Sequence, residues 1–285
     1  MSAPKKAVRE IYMDEEKRNG RRSHGAVMAL IFMLTLFTWG QVLLFSRPTP
    51  KEPAVTPAAF PDIPAVVEKC MPSSVIFQVR KTVLSDPSDS DSEKMQVTEA
   101  ASGIIWEERE DELLVVTNNH VVEGADSIRV RFSPEKAQGI LLTAKTLGRD
   151  QTADIAVVSI EKSQIPEEIL PLVYPAVRGD ATSVRVGQWA ILIGNALGEG
   201  QNVSFGIVSA VNRYLNNGAF QQEVFTSDAA INNGNSGGML LNQDGEVIGV
   251  TSSKSEKLGS EGMGYYVPID TVTKTVAELL SQAGR

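Results

Sequence analysis

The sequence predicts an all-β domain, a sandwich or closed barrels, set behind one hydrophobic N-terminal segment. Three observations lead there. Between residues 73 and 268 most of the chain reads as short β-branched runs separated by clusters of Gly, Asn and Asp. Helical periodicity shows only at the margins of that stretch. Residues 26–45, AVMALIFMLTLFTWGQVLLF, carry no charge.

Twenty residues at about 1.5 Å each span roughly 30 Å, the thickness of a bilayer's hydrocarbon core. With its flanking residues, the segment 25–46 therefore reads as a transmembrane signal-anchor helix. A buried core helix would show an amphipathic face, and none is visible. A cleaved signal peptide remains an alternative, although the leading segment is long and no clear A-x-A site follows at once. Residues 1–24 hold seven Lys and Arg against four acids, which places the N-terminus in the cytoplasm and the rest across an inner cell membrane. His24 lies on that side. The remainder carries a net charge of −11, against −8 for the whole chain, and this argues against nucleic acid as a partner. Six prolines in residues 47–64 form an extended linker, with a Pro-rich ligand for another protein as the less economical reading.

The folded part is expected over 65–285. Its strands include Ser74–Val79, Leu113–Thr117, Ile128–Phe132, Ile155–Ile160, Trp189–Ile193, Val203–Val211, Glu246–Thr251 and Tyr265–Val267. A short helix over Ala65–Cys70 stops before Pro72. A last helix over 270–281 starts from Asp270 as N-cap and sets Val272, Val276, Leu279 and Leu280 on one face. The serine-rich acidic run 85–93 reads as a solvated loop. It lacks the glycine and spaced glutamate of an EF-hand calcium loop. Cys70 is the single cysteine, so no internal disulfide can form, and it reads as a buried thiol. One cysteine and one histidine give no basis for a zinc site, and no cofactor is expected.

His120, in Thr117-Asn118-Asn119-His120-Val121-Val122, is the one imidazole beyond the hydrophobic segment. Ser236 lies in Gly234-Asn235-Ser236-Gly237-Gly238, and a serine hydroxyl needs a positioned base to become a nucleophile. The motif also fits the G-x-S-x-G elbow of α/β-hydrolases, but that order needs a histidine after the serine, and none follows. The order His, Asp, Ser fits instead. Asp154, at the mouth of the apolar run Ile155–Ile160, is the favoured acid. Asp150, in the turn Gly148-Arg149-Asp150-Gln151, is its competitor. The backbone N–H groups of the turn Gly234, Asn235 and Ser236 would form an oxyanion hole, with Gly234 and Ser236 as its donors. The bland alternative is a glycine-rich turn carrying an idle serine.

These motifs resemble the HtrA (Do-like, DegP/DegS-type) branch of the trypsin-like serine proteases. TNNHVV is similar to its histidine motif, TADIAVVSI to its aspartate motif, and Ser227–Gly238 to its serine motif. Arg185–Trp189, Ile193–Asn195, Gly206–Ser209 and Gly264–Ile269 follow the same branch. The resemblance covers roughly 65–280. It implies two six-stranded antiparallel β-barrels with the site between them, the first about 73–165 and the second about 180–268. It also implies an ATP-independent serine endopeptidase, often a homotrimer, cutting misfolded or regulatory extracytoplasmic or periplasmic proteins.

There are departures. Only five residues follow Leu280, so the PDZ domain usual in the family is expected to be absent. Ala101-Ser102-Gly103 stands where Gly-Ser-Gly is usual, and Met239 where proline or alanine is common. Ala230 lies at the position that is acidic in trypsin. With Ile231 it implies a pocket for small or medium apolar residues, while Thr251, Ser252 and Ser253 would pair with substrate backbone as an added strand. The resemblance leaves room for an activating protein partner acting at the stretch Tyr214–Ala219, and for a latent holdase that keeps the fold without cutting.

Overall fold

The computed structural model describes residues 28–38, 60–85, 92–216, 221–252 and 262–285. The chain divides into two compact units, Met1–Ala59 and Phe60–Arg285. In the first, residues 28–38 form helix α1, whose large apolar side chains are exposed all round, from 50% at Ile31 to 74% at Met33. Among the described residues no helix is long and apolar enough to cross a membrane. The rest of the expected span, 25–27 and 39–46, lies outside the described residues, as do 1–24 and 47–59.

The second unit opens with helix α2, Ile63–Cys70, begun by an Asp62 carboxylate that accepts from the Ala65 N–H at 3.1 Å. Pro64 sits in its first turn, where a missing N–H costs nothing. Six strands follow: β1 Ser74–Leu84, β2 Lys94–Glu108, β3 Glu112–Thr117, β4 Ala125–Phe132, β5 Leu142–Asp150 and β6 Ile155–Glu161. They close into an antiparallel barrel in the order β1-β2-β3-β6-β5-β4. A second closed barrel runs β7-β8-β9-β12-β11-β10. Its strands are β7 Trp189–Gly194, β8 Asn202–Asn216, β9 Gln221–Ser227, β10 Met239–Leu241, β11 Val247–Thr251 and β12 Gly264–Pro268. Between β3 and β4 lies α3, Asn119–Val122, and the chain ends on α4, Ile269–Gln282.

Burial explains why β3, β6 and β7 read as unbroken apolar runs. Leu113 and Val115 fill the first barrel, while Leu114 and Val116 turn outward into a core shared with the second barrel. In β6, Ile155 and Val157 face the shared core, and Ala156, Val158 and Ile160 face the barrel interior. In β7, Ile191 and Ile193 enter the shared core from the other side, and Ala190 and Leu192 fill the second barrel. Both faces are dry, so the alternation of a half-exposed strand disappears. β4 keeps that alternation, with Ile128, Val130 and Phe132 buried and Arg129 exposed. Helices α2 and α4 cover the shared core through Val66, Val272, Val276, Leu279 and Leu280. The barrels therefore join through apolar packing, which underlies the groove between them.

One local expectation changes. Helix α4 begins at Ile269 with Pro268 in the cap position. Asp270 falls in the first turn, and its carboxylate accepts from the Ala181 N–H at 3.3 Å. Gly245, with φ +79, packs so closely that an added Cβ would lie 2.9 Å from the Cys70 sulfur. Cys70 is buried and bonded to the Gly245 carbonyl, and burial pushes its thiol pKa up.

Candidate active site

His120, Asp154 and Ser236 come together at the seam between the barrels. The short helix α3 carries His120 directly after the end of β3. Four contacts fix it. Asn118 donates from Nδ2 to the Asp154 carbonyl at 2.9 Å, Lys81 Nζ donates to the His120 carbonyl at 2.9 Å, Arg149 donates to Asn119 Oδ1 at 3.2 Å, and the His120 N–H donates to Asp154 Oδ1 at 3.1 Å. Asp154 immediately precedes β6, is fully buried, and has φ 53, a left-handed backbone rare outside glycine. That turn aims its carboxylate back at the ring, with His120 Nδ1 lying 3.0 and 2.9 Å from the two oxygens. Asp150 is spent elsewhere: its Oδ1 accepts from the Ala153 N–H at 2.8 Å and so shapes the turn that presents Asp154.

His120 Nε2 lies 3.1 Å from Ser236 Oγ. An ionised carboxylate only accepts hydrogen bonds, so a neutral ring facing Asp154 carries its proton on Nδ1 and leaves Nε2 to accept from the serine. Ser252 donates from Oγ to Asp154 Oδ2 at 2.9 Å. The second barrel thus contributes both the serine and a hydroxyl that supports the acid.

The turn that presents Ser236 is held backbone to backbone. Gly234 has φ +98, and a Cβ there would lie 2.2 Å from the Asn195 carbonyl, so no other residue fits. The Asn233 carbonyl accepts from the Leu197 N–H at 2.6 Å. A trans peptide points its N–H away from its C=O, so the Gly234 N–H faces the opposite side. Asn235 does not serve as an oxyanion donor, since its N–H donates to the Asn232 carbonyl at 3.1 Å. Gly234 and Ser236 are the other two residues of the expected donor turn. Both residues line a cleft of about 500 Å³ with Thr98, Glu99, Ala100, Ala101, His120, Val121, Leu197, Gly198 and Asn233.

The other described candidates, Ala230, Ile231, Thr251 and Ser252, are not among the residues that line that cleft. The Ala230 carbonyl accepts from Ser204 Oγ at 2.8 Å. The Ile231 side chain packs against Gly264, where an added Cβ would meet Ile231 Cδ1 at 2.2 Å and the Tyr266 hydroxyl at 3.0 Å. Tyr266 is fully buried, and loss of solvation pushes its phenol pKa well up. Thr251 is not available for strand addition: its N–H donates to Gly238 at 2.9 Å and its carbonyl accepts from Gly237 at 3.0 Å. Ser252 bonds the acid rather than standing open, and its N–H donates to Tyr265. Ser253 lies outside the described residues, and Met239 is buried in the shared core. Among the described residues no group of three His, Cys, Asp or Glu could hold a metal ion.

Two barrels with a histidine, a carboxylate and a serine in line across their seam define a chymotrypsin-like peptidase arrangement. The family described as trypsin-like peptidase domain matches residues 101–250, a span that includes all three side chains. The serine protease Do-like HtrA of Bacillus subtilis (strain 168) is 37% identical over 201 residues, covering 68% of this chain and 42% of that protein. The probable periplasmic serine endoprotease DegP-like of Pseudomonas savastanoi pv. phaseolicola is 38% identical over 172 residues, 60% of this chain and 33% of that one. Among solved structures, the HtrA-type protease AlgW with decapeptide aligns with a TM-score of 0.61 at 28% identity, covering 76% of this chain and 67% of that chain. The chain belongs to the trypsin-like peptidase family, in its HtrA/Do-like branch. It spans less than half the length of the two curated relatives just described.

Proposed function

We propose that this chain is an ATP-independent serine endopeptidase that cleaves misfolded or regulatory extracytoplasmic proteins through His120, Asp154 and Ser236. The observation that carries the reading is the unbroken line from Asp154 through the ring to Ser236 Oγ, at 2.9 and 3.1 Å. In this mechanism Ser236 Oγ attacks the scissile carbonyl while His120 Nε2 takes its proton. The Gly234 and Ser236 N–H groups hold the oxyanion. The imidazolium, steadied by Asp154, then protonates the leaving amine. Water attacks the acyl-enzyme by the same route in reverse, and Ser236 is restored. AlgW was solved with a decapeptide, which supports a peptide ligand for this protein.

Substrate preference follows from Ala230 and Ile231. Neither offers a carboxylate to a basic side chain, and Ile231 packs against Gly264. We propose cleavage after Val, Ala or Leu. The exposed apolar surface of α1 supports a single-pass inner-membrane anchor at 25–46 with the peptidase unit outside the cytoplasm. A homotrimer is supported by an aromatic cluster of Phe60, Trp189 and Phe205, with ring centroids 5.1 to 5.4 Å apart and Phe60 64% exposed.

The test is digestion of unfolded casein by the full chain in detergent micelles, without ATP, with the cut sites read by mass spectrometry. Cuts after small or medium apolar residues, absent with Ser236→Ala, are expected. Binding of casein without cutting would make the chain a holdase on a peptidase fold, and cuts after Lys or Arg would overturn the pocket assignment.

A further inference from the structure

Ser102 lies on β2 of the first barrel, is fully buried, and uses four polar handles. Its N–H donates to the Ser236 carbonyl at 2.8 Å, and its carbonyl accepts from Thr117 Oγ1 at 2.8 Å. Its hydroxyl donates to the Gly234 carbonyl at 2.8 Å and accepts from the Asn195 N–H at 2.8 Å. One residue therefore joins β2, the end of β3, the segment after β7 and the turn that presents the nucleophile, and its side chain makes the last two links.

The position of the Gly234 carbonyl gives that hydroxyl a chemical consequence. Three consecutive peptides run from Asn233 to Ser236. The first and third carry the two N–H groups assigned to the oxyanion, and the middle one sets the angle between them. The first is held by Leu197, which donates to the Asn233 carbonyl at 2.6 Å. Leu197 has a left-handed backbone, φ 59, in the segment that also supplies the Asn195 N–H. The third is held by the Gly238 N–H, which donates to the Asn235 carbonyl at 2.8 Å. At its N–H end the middle peptide has the longer 3.1 Å bond to Asn232, and at its carbonyl end it has Ser102.

We propose that the Ser102 hydroxyl is a positioning group for the oxyanion hole. Supplied by the opposite barrel, it fixes the Gly234–Asn235 peptide so that the flanking N–H groups converge on one point. Without it, the Gly234 carbonyl and the Asn195 N–H each lose a partner in a dry region, and the peptide is free to rotate toward another donor. The inference rests on the peptidase reading and adds a residue that never touches substrate.

The test is the rate at which a fluorophosphonate probe modifies Ser236 in the full chain, resolved into the maximal rate constant and the half-saturating probe concentration. The phosphonyl oxygen occupies the oxyanion position during attack, so the maximal rate constant reads the hole. Ser102→Ala is expected to lower it by about 10- to 100-fold, somewhat less than removal of an oxyanion donor itself, with half-saturation within about twofold. Ser102→Cys, close in size and a weaker donor, is expected to fall between. It also separates loss of the hydroxyl from loss of fold should the alanine variant unfold. A wild-type rate in both variants, or a loss confined to half-saturation or to the fraction of molecules that react, would overturn the proposal alone. A wild-type chain inert to the probe would remove the peptidase reading and this inference together.

Discussion

The two barrels share a fold but hold their parts of the site by different means. The first sets His120 and Asp154 at the ends of β3 and β6, strands buried on both faces and paired over six residues from Glu112↔Glu161 to Thr117↔Ala156. The core places the strands, and hydrogen bonds from Asn118, Lys81 and Arg149 finish the placement of His120. The second sets Ser236 in a turn built on positive-φ glycines, Gly234 and Gly237, and braced by contacts from elsewhere: Leu197, Ser102 and Thr251. Its geometry follows from hydrogen bonds between segments. A core tolerates the loss of one hydrogen bond better than such a turn does. The first half of the site should thus fail with folding, and the second without it.

Substitutions can break that contrast. Ser236→Ala is expected to lower peptide hydrolysis by about 10⁶-fold with the melting temperature unchanged, and Asp154→Asn by about 10⁴-fold because the ring takes the wrong tautomer. Steady-state kinetics on a peptide amide checks both. Gly234→Ala is expected to cost about 10²- to 10³-fold in kcat, with a smaller loss in urea unfolding than a core truncation gives, since the strain falls on the turn and the oxyanion donor rather than on the core. In the first barrel the pattern inverts. Leu113→Ala, at a fully buried position, is expected to cost about 2–5 kcal/mol in urea unfolding while each folded molecule keeps its kcat. A Leu113→Ala protein that is stable but inactive, or a Gly234→Ala protein that is unfolded, would erase the distinction.

A smaller effect sharpens it. Ser252→Ala removes the hydroxyl bond that the second barrel gives to Asp154. About a tenfold fall in kcat at constant KM is expected, since a bond to an ionised group is worth roughly 1.5–3 kcal/mol, while the His120 ring and backbone N–H groups still hold the carboxylate. The smallest effect concerns Cys70. Burial raises its thiol pKa, so less thiolate forms at pH 8 in the folded chain than in the unfolded one. Iodoacetamide is expected to alkylate it slowly in buffer and promptly in guanidinium. Prompt alkylation in buffer would place Cys70 at the surface.

What could be read in advance follows the same division. Runs such as Leu113–Thr117 and Ile155–Ile160 announce strands because both faces are apolar, and the order of His120, Asp154 and Ser236 along the chain is visible without coordinates. The strands with weak patterns escaped. Lys94–Ala100 of β2 alternates poorly and is extended because β1 pairs with it residue by residue, from Ser74↔Ile104 to Leu84↔Lys94. β10 has only three residues, and β9 is largely polar. Within the site, the left-handed turn at Asp154, the clamp of Leu197 on Asn233, and the diversion of Thr251 and Ser252 from substrate to site support all depend on contacts between residues far apart in sequence. No local pattern carries them. Ser102 was visible only as the centre of Ala101-Ser102-Gly103, with nothing to mark its hydroxyl as a link between barrels.

The most direct test of the account is the adduct of a fluorophosphonate probe on the full chain, located by mass spectrometry. Modification of Ser236, one adduct per chain, lost in Ser236→Ala and strongly slowed in His120→Ala, is the predicted result. An unmodified Ser236, or an adduct on another residue that survives Ser236→Ala, would contradict the assignment of the site.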